Sequence, residues 1–253
     1  GAFNSQIPPP QMPSPVKKKP KPSQRRSQKK TPTKPVPPKP LRRLMISGFD
    51  EASKQQYGAE AEKLGFEMLT SRTLDTRLTH LLIKTPARSE KFLGAVAGGV
   101  CVLTTSYFEA CKKDPKCIDK EEDYEWNLAK QLDRKTTDLV KSYIWWRKRI
   151  ADTGKKAYSG WRVILNVSRP ETIARVLQAG GAEILSDKLT VVRSVLARVT
   201  HVLVDTSCSK NKSFVETFKS RCKKPLLRAE YLSAVLLRLG ESAELKKEYK
   251  YKM

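Results

Sequence analysis

The sequence predicts an α/β fold made of two copies of one small unit, each a parallel sheet covered by helices. Three observations carry this reading. Short apolar runs of strand length alternate with stretches of helical spacing, and strands buried on both faces of a parallel sheet are near-continuous apolar runs. The same order of elements returns in the second half of the 253 residues. One hexapeptide also echoes, Arg77-Leu78-Thr79-His80-Leu81-Leu82 against Arg198-Val199-Thr200-His201-Val202-Leu203, and it holds both histidines of the chain. Such self-similarity marks repeated architecture.

In the first copy, Leu44-Met45-Ile46 is a strand ended by Ser47-Gly48. A helix follows over about Ala52–Leu64, and Gly65 closes it, since glycine tolerates the left-handed conformation that ends helices. Phe66–Leu69 and Thr79–Ile83 are the next strands. Ser89–Ala97 has helical spacing and stops at Gly98-Gly99; Val100–Leu103 is a fourth strand and Thr105–Lys112 a last helix. In the second copy, Trp161–Val167 is a strand and Glu171–Gln178 a helix ending at Gly180-Gly181. Ala182–Leu185 and Thr200–Val204 are strands, Ser213–Arg221 a helix, Pro225–Leu227 a short strand and Ala229–Leu239 a helix. A second echo sets Tyr107-Phe108 against Tyr231-Leu232.

Between the copies lies Asp119–Gly160, with Trp126, Leu128, Leu132, Leu139, Tyr143, Ile144, Trp145 and Trp146. So apolar a linker predicts a helix within 126–150 that packs across the junction. Trp145-Trp146 then belongs to an interface core rather than to a base-stacking platform. Cys101 and Cys222 are small core residues by the same reasoning, and the duplicated His80 and His201 are structural.

Composition divides the chain further. Residues 1–40 hold 12 of the 16 prolines, ten Lys or Arg and no acid, so this tail supplies +10 of the net +24 and leaves +14 on the rest. Proline removes donors and like charges repel, which predicts a disordered tail with polyproline II character. Its clusters, Lys17, Lys18, Lys19, Lys21 and Arg25, Arg26, Lys29, Lys30, suit a nuclear localisation signal or a nucleic-acid contact over 17–30, or else a solvated linker. The expected domains are the tail 1–40, a first repeat 41–118, a linker with a helix 119–159, and a second repeat with a C-terminal extension 160–253. There is no run of 18 apolar residues and no apolar segment at the N-terminus, so neither a membrane helix nor a secretory signal is expected. The five cysteines are odd in number and form no C-x-x-C pair, which argues for a reducing compartment and against a disulfide framework or zinc site. No hydrolase, Walker or metalloprotease motif is present, so neither an enzyme nor a cofactor is expected.

These elements resemble a tandem BRCT repeat. The resemblance rests on Ser47-Gly48, Thr79-His80-Leu81-Leu82, Lys91 to Gly99 and Ser106-Tyr107-Phe108 in the first copy. In the second it rests on Gly180-Gly181-Ala182, Thr200-His201-Val202-Leu203 and Tyr231-Leu232. It covers about residues 41–240. The family's third-helix tryptophan is absent from both copies, and Tyr107 and Tyr231 or their neighbours are expected to fill its space. The resemblance implies four parallel strands and three helices per repeat, packed head-to-tail.

It also implies phosphopeptide binding, and the residues suit that chemistry. A phosphate near pH 7 carries about −1.5 to −2 charge and three acceptor oxygens. Ser47 offers a hydroxyl, Gly48 an amide with no Cβ in the way, and Lys91 an ammonium on the first turn of a helix, where the macrodipole also favours an anion. All three match the family's phosphate pocket, and Ser89 matches a hydroxyl that often joins it. Arg88 matches the residue that reads the third position after the phosphate or pairs with a free C-terminal carboxylate, which a guanidinium grips through two parallel bonds. Ser168-Arg169-Pro170 is expected to complete that pocket, with Arg169 an added cation, Pro170 beside it and Leu93 on its floor.

The resemblance therefore implies a nuclear phosphopeptide-binding scaffold of the DNA-damage response. It is most like the C-terminal pair of the mediator of DNA damage checkpoint group, whose ligand is the phosphorylated C-terminal tail of a histone variant. A pair reading an internal phosphoserine is the alternative within the family. A nucleic-acid-binding or chromatin-tethering module, resting on the +24 charge, is the alternative outside it.

Overall fold

The structure is a computed structural model that describes residues 41–129, 131–186, 192–205, 212–222 and 224–251, with the backbone alone at 212–214. The expected tail and its basic clusters lie outside the described residues, as does Cys208.

The first copy runs β1 (Arg43–Ser47), α1 (Glu51–Lys63), β2 (Glu67–Met68), β3 (His80–Ile83), α2 (Glu90–Gly98), β4 (Cys101–Leu103) and α3 (Ser106–Lys113). Helix α4 (Arg134–Thr153) follows. The second copy runs β5 (Arg162–Asn166), α5 (Pro170–Ala179), β6 (Glu183–Ser186), α6 (Arg193–Arg198), β7 (His201–Val204), α7 (Lys212–Arg221), β8 (Leu226–Arg228), α8 (Tyr231–Leu237) and α9 (Ala243–Glu248). Both sheets are parallel and four-stranded, ordered β2-β1-β3-β4 and β6-β5-β7-β8. The central strands β3 and β7 are buried at every residue, as continuous apolar runs in covered sheets must be. Helices α6 and α9 are additions to the expected elements. Six residues each, they are too short to carry a helical apolar period.

Local chemistry sets the boundaries. Asp50 Oδ1 accepts from the Ser53 amide at 2.8 Å and starts α1; Ser89 Oγ accepts from the Phe92 amide at 3.3 Å and starts α2. Such caps satisfy amides that have no partner inside the helix.

The echoed hexapeptides build the same clasp twice. Thr79 Oγ1 accepts from the Arg43 amide at 2.6 Å and lies 2.8 Å from His80 Nδ1, while His80 Nε2 lies 3.0 Å from Glu121 Oε2. In the second copy Thr200 Oγ1 accepts from the Arg162 amide at 2.7 Å and lies 2.9 Å from His201 Nδ1, and His201 Nε2 lies 2.7 Å from Glu241 Oε1. Each clasp ties the two central strands of a sheet to the segment that follows α3 in the first copy and α8 in the second. Tyr107 and Tyr231 are fully buried, with hydroxyls donated to Ile118 O and Glu241 Oε1. Cys101 and Cys222 are buried in the separate cores of their copies.

One apolar cluster spans both copies, drawing on β3 and α2 of the first, on α5 and α8 of the second, and on α4. Helix α2 lies against α5 so closely that a Cβ on Gly98 would stand 3.1 Å from the Ala179 carbonyl oxygen. Helix α4 binds both sides. Toward the first copy, Tyr143 Oη accepts from the Val102 amide at 3.0 Å and Arg147 donates to Gly99 O at 2.8 Å. Toward the second, Ser142 Oγ and Trp146 Nε1 donate to Leu236 O at 2.9 and 3.0 Å. Of the residues that predicted this packing, Trp126, Leu139, Tyr143 and Trp146 are buried, whereas Leu128 and Ile144 remain 46% and 38% exposed. No helix among the described residues is long and apolar enough to cross a membrane.

Candidate functional site

The first sheet ends at a cleft of about 900 Å³. Ser47 closes β1 there, Gly48 follows it, and Lys91 reaches it from the first turn of α2. The carboxyl end of a parallel strand and the start of a helix meet at this edge, where ligands of open α/β sheets bind. The Ser47-Gly48 pair and the distant Lys91 therefore line one space, together with Lys54, Ser71 and Arg72, which sequence reasoning missed. Lys54 sits one turn into α1, and Ser71 and Arg72 in the connection after β2. No periodicity marks such positions, and only the fold brings them to the cleft. Glu51 and Glu62 also line it.

Each group is disposed to receive an anion. Gly48 adopts φ +80°, a left-handed conformation strained for a residue with a Cβ. Among the described residues no hydrogen bond uses the Ser47 hydroxyl. Lys91 Nζ donates to the Ser71 carbonyl at 3.1 Å, which steadies the half-buried chain. Burial lowers its pKa first and the neighbouring charge of Lys54 lowers it further, against the opposing pull of Glu90. A desolvated ammonium beside a like charge is one that an incoming anion relieves.

The remaining expected residues lie elsewhere. Ser89 is the cap of α2 and is not part of the cleft lining; its hydroxyl accepts from Phe92 and keeps its own hydrogen to donate. Arg88 is exposed just before α2. Arg169 is exposed at the N-cap of α5, and Pro170 is that helix's first residue. Leu93 is half-buried against the shared core rather than on an open floor. Near their C-terminal ends the two helices meet at Gly98 and Ala179, and near the start of α2, Glu90 pairs with Arg175 of α5. The helices thus run in the same sense, and Arg88 and Arg169 stand at the same end of the pair.

One set of metal-type side chains converges among the described residues. Ligand atoms of His80, Cys101 and Glu121 lie within 4.8 Å of one another. Burial pushes the Cys101 thiol well above its usual pKa, with the Glu125 charge adding to it, so the thiolate a metal needs is disfavoured. The second copy repeats the His–Glu pair with Pro225 in the cysteine's register position. The set is therefore the structural clasp.

Comparison with known proteins agrees with this architecture. A family model described as "Regulator of Ty1 transposition protein 107 BRCT domain" matches residues 24–126, and one described as "TopBP1/SLF1, BRCT domain" matches 155–250. Human SMC5-SMC6 complex localization factor protein 1 is 29% identical over 203 residues, which are 78% of this chain and 18% of that protein. The mouse protein of the same name is 31% identical over 164 residues, 63% of this chain and 15% of the relative. The chain thus spans less than a fifth of the length of these relatives. The solved BRCT5-BRCT6 domains of S. pombe Brc1 share the fold, at 18% identity and a TM-score of 0.52, over 79% of this chain and 94% of that one. The chain is a tandem BRCT protein.

Proposed function

We propose that this chain is a phosphopeptide-binding module of the DNA-damage response, reading phosphoserine in the cleft of its first repeat. The observation that carries the reading is the meeting of an unused Ser47 hydroxyl, a left-handed Gly48 and a half-buried Lys91 in one space. Ser89, two residues before Lys91 at the cap of α2, offers a further hydroxyl hydrogen outside the cleft lining. Hydrogen bonds to a charged group contribute roughly 1.5–3 kcal/mol each, enough in combination to make binding depend on the phosphate.

Arg88 and Arg169 form the second half of the site, with Pro170 beside Arg169. Two guanidinium groups at one end of α2 and α5 favour a ligand with a free carboxylate a few residues after the phosphate, such as a phosphorylated histone C-terminal tail. The localisation is nuclear. Curated relatives named for localising the SMC5-SMC6 complex suit an adaptor that carries recognition and no catalysis.

Fluorescence polarisation with a phosphoserine peptide ending in a free carboxylate, and with its unphosphorylated twin, tests the reading. The phosphopeptide binds in the micromolar range or tighter, the twin does not, and Lys91→Met or Ser47→Ala removes the difference. Equal binding of both peptides by the unaltered protein overturns the proposal. Amidating the peptide C-terminus weakens binding by about 1.5–3 kcal/mol if the arginines grip the chain end; an unchanged affinity assigns an internal phosphoserine instead.

A further inference from the structure

We propose that the outer face of α4 is a second binding surface, one that docks a nucleic-acid duplex through its phosphodiester backbone. Arg134, Lys141 and Lys148 recur every seven residues along α4. Seven residues are close to two full turns, so the three form one row about 21 Å long at about 1.5 Å per residue. The row lies opposite the buried Leu139, Val140, Tyr143 and Trp146, which hold the helix to both repeats. All three cations are exposed, as are Lys135 and Arg149 beside them and Lys155 and Lys156 just beyond the helix. Asp138 and Asp152 are the acids interspersed with them.

The regular spacing of the row, together with its lack of ion pairs, sets this face apart. Elsewhere Arg42, Arg43, Arg77, Lys112 and Arg175 each lie within 4.0 Å of a carboxylate, as does the half-buried Arg147 of α4 itself. Among the described residues none of the seven exposed cations on or beside α4 does. The Arg149 guanidinium stacks instead on the Trp145 ring, 5.0 Å from its centroid, which stiffens the edge of the row. A straight, unpaired row complements a straight polyanion. A duplex carries about one charge per 1.7 Å of axis, so such a row meets phosphates at any sequence. An acidic protein segment would ask for an apolar groove beside the charges, because protein interfaces have desolvated apolar centres. Here Ile144 is the single large apolar side chain of α4 exposed beyond a third of its area. The surface does not include the cleft of the first repeat, so one molecule can hold a phosphopeptide and a duplex together.

The test uses the full chain, so the basic tail is constant throughout. A triple variant, Arg134→Gln, Lys141→Gln and Lys148→Gln, is compared with a control, Lys63→Gln, Lys116→Gln and Lys120→Gln, which removes the same charge from exposed sites elsewhere. Binding of a labelled 30-base-pair duplex is measured across a salt series. The row variant binds at least about tenfold more weakly, and its slope of log K against log salt becomes shallower by about 2.7, three phosphates at about 0.9 each; the control changes less than twofold. Equal losses in both variants, or none in either, overturn the proposal. So does polyglutamate that competes with the duplex charge for charge, which assigns the face to acidic proteins. Phosphopeptide affinity stays unchanged in the row variant, which shows that it is folded and keeps this outcome separate from that of the cleft.

Discussion

Aligned by strand register, the two repeats differ at one corner. Leu44 lies opposite His80 and Val163 opposite His201, so Ser47 corresponds to Asn166, Gly48 to Val167 and Asp50 to Arg169. The first corner has a hydroxyl, a left-handed glycine and an aspartate that caps α1. The second has an amide, a buried β-branched residue outside the left-handed region, and an arginine that caps nothing, with Pro170 opening α5 in its place. The Thr–His–Glu clasp is the same in both. What the fold needs is thus kept twice, whereas the residues of the proposed anion site are present in one copy, as function is commonly grafted onto a shared scaffold.

The largest effect is expected where the copies are joined. Trp146→Ala removes a buried ring and its bond to Leu236 O, at a cost of about 3–5 kcal/mol. Calorimetry then shows the single unfolding transition split in two. A variant that still melts as one unit would mean that α4 does not couple the repeats.

Exchanging the corners comes next. Gly48→Val imposes the second repeat's residue on φ +80°, misplaces the amide and lowers phosphopeptide affinity by roughly 10- to 150-fold, the equivalent of one hydrogen bond to a charged group. The reciprocal Val167→Gly leaves that affinity unchanged. If Val167→Gly weakened binding as much, the asymmetry between the copies would be lost.

The smallest effect tests what they share. Burial raises the Glu241 pKa, but bonds from His201, Lys246 and Tyr231 outweigh it and bring the carboxyl to about 2. The folded value lies below the ordinary one of 4.5, so the stabilisation is complete above that pH and is lost as pH falls toward 2. Glu241→Gln lowers Tm at neutral pH by about 2–4 °C, on the order of 1 kcal/mol in a chain of this size, and flattens the melting curve's dependence on acid. Glu121 is held low in the same sense, by His80 and Arg42 against its burial, so Glu121→Gln behaves alike. A Tm that falls equally steeply with acid in both variants and in the unaltered protein rules the clasps out as its source.

Much of this was readable in the chain. The Thr-His echo marked both clasps, because a threonine bonding one strand and a histidine reaching a carboxylate need fixed neighbours. Gly99 and Ser89 marked the ends of α2, because backbone conformation and capping act within a few residues. Lys54 and Arg72 gave no signal, because a surface lysine and a loop arginine look the same wherever they point. Ile144 misled for a related reason, since apolar character predicted burial and the helix turned it outward.

Alternating periodicity was enough to specify a doubled α/β chain and its joining helix, since strand and helix repeats are local properties and burial follows from them. The company that Ser47 and Gly48 keep with Lys91, the common end reached by Arg88 and Arg169, and the unpaired row along α4 arose from packing. Proximity across 44 or 81 residues depends on how sheets and helices stack, and no spacing along the chain encodes it.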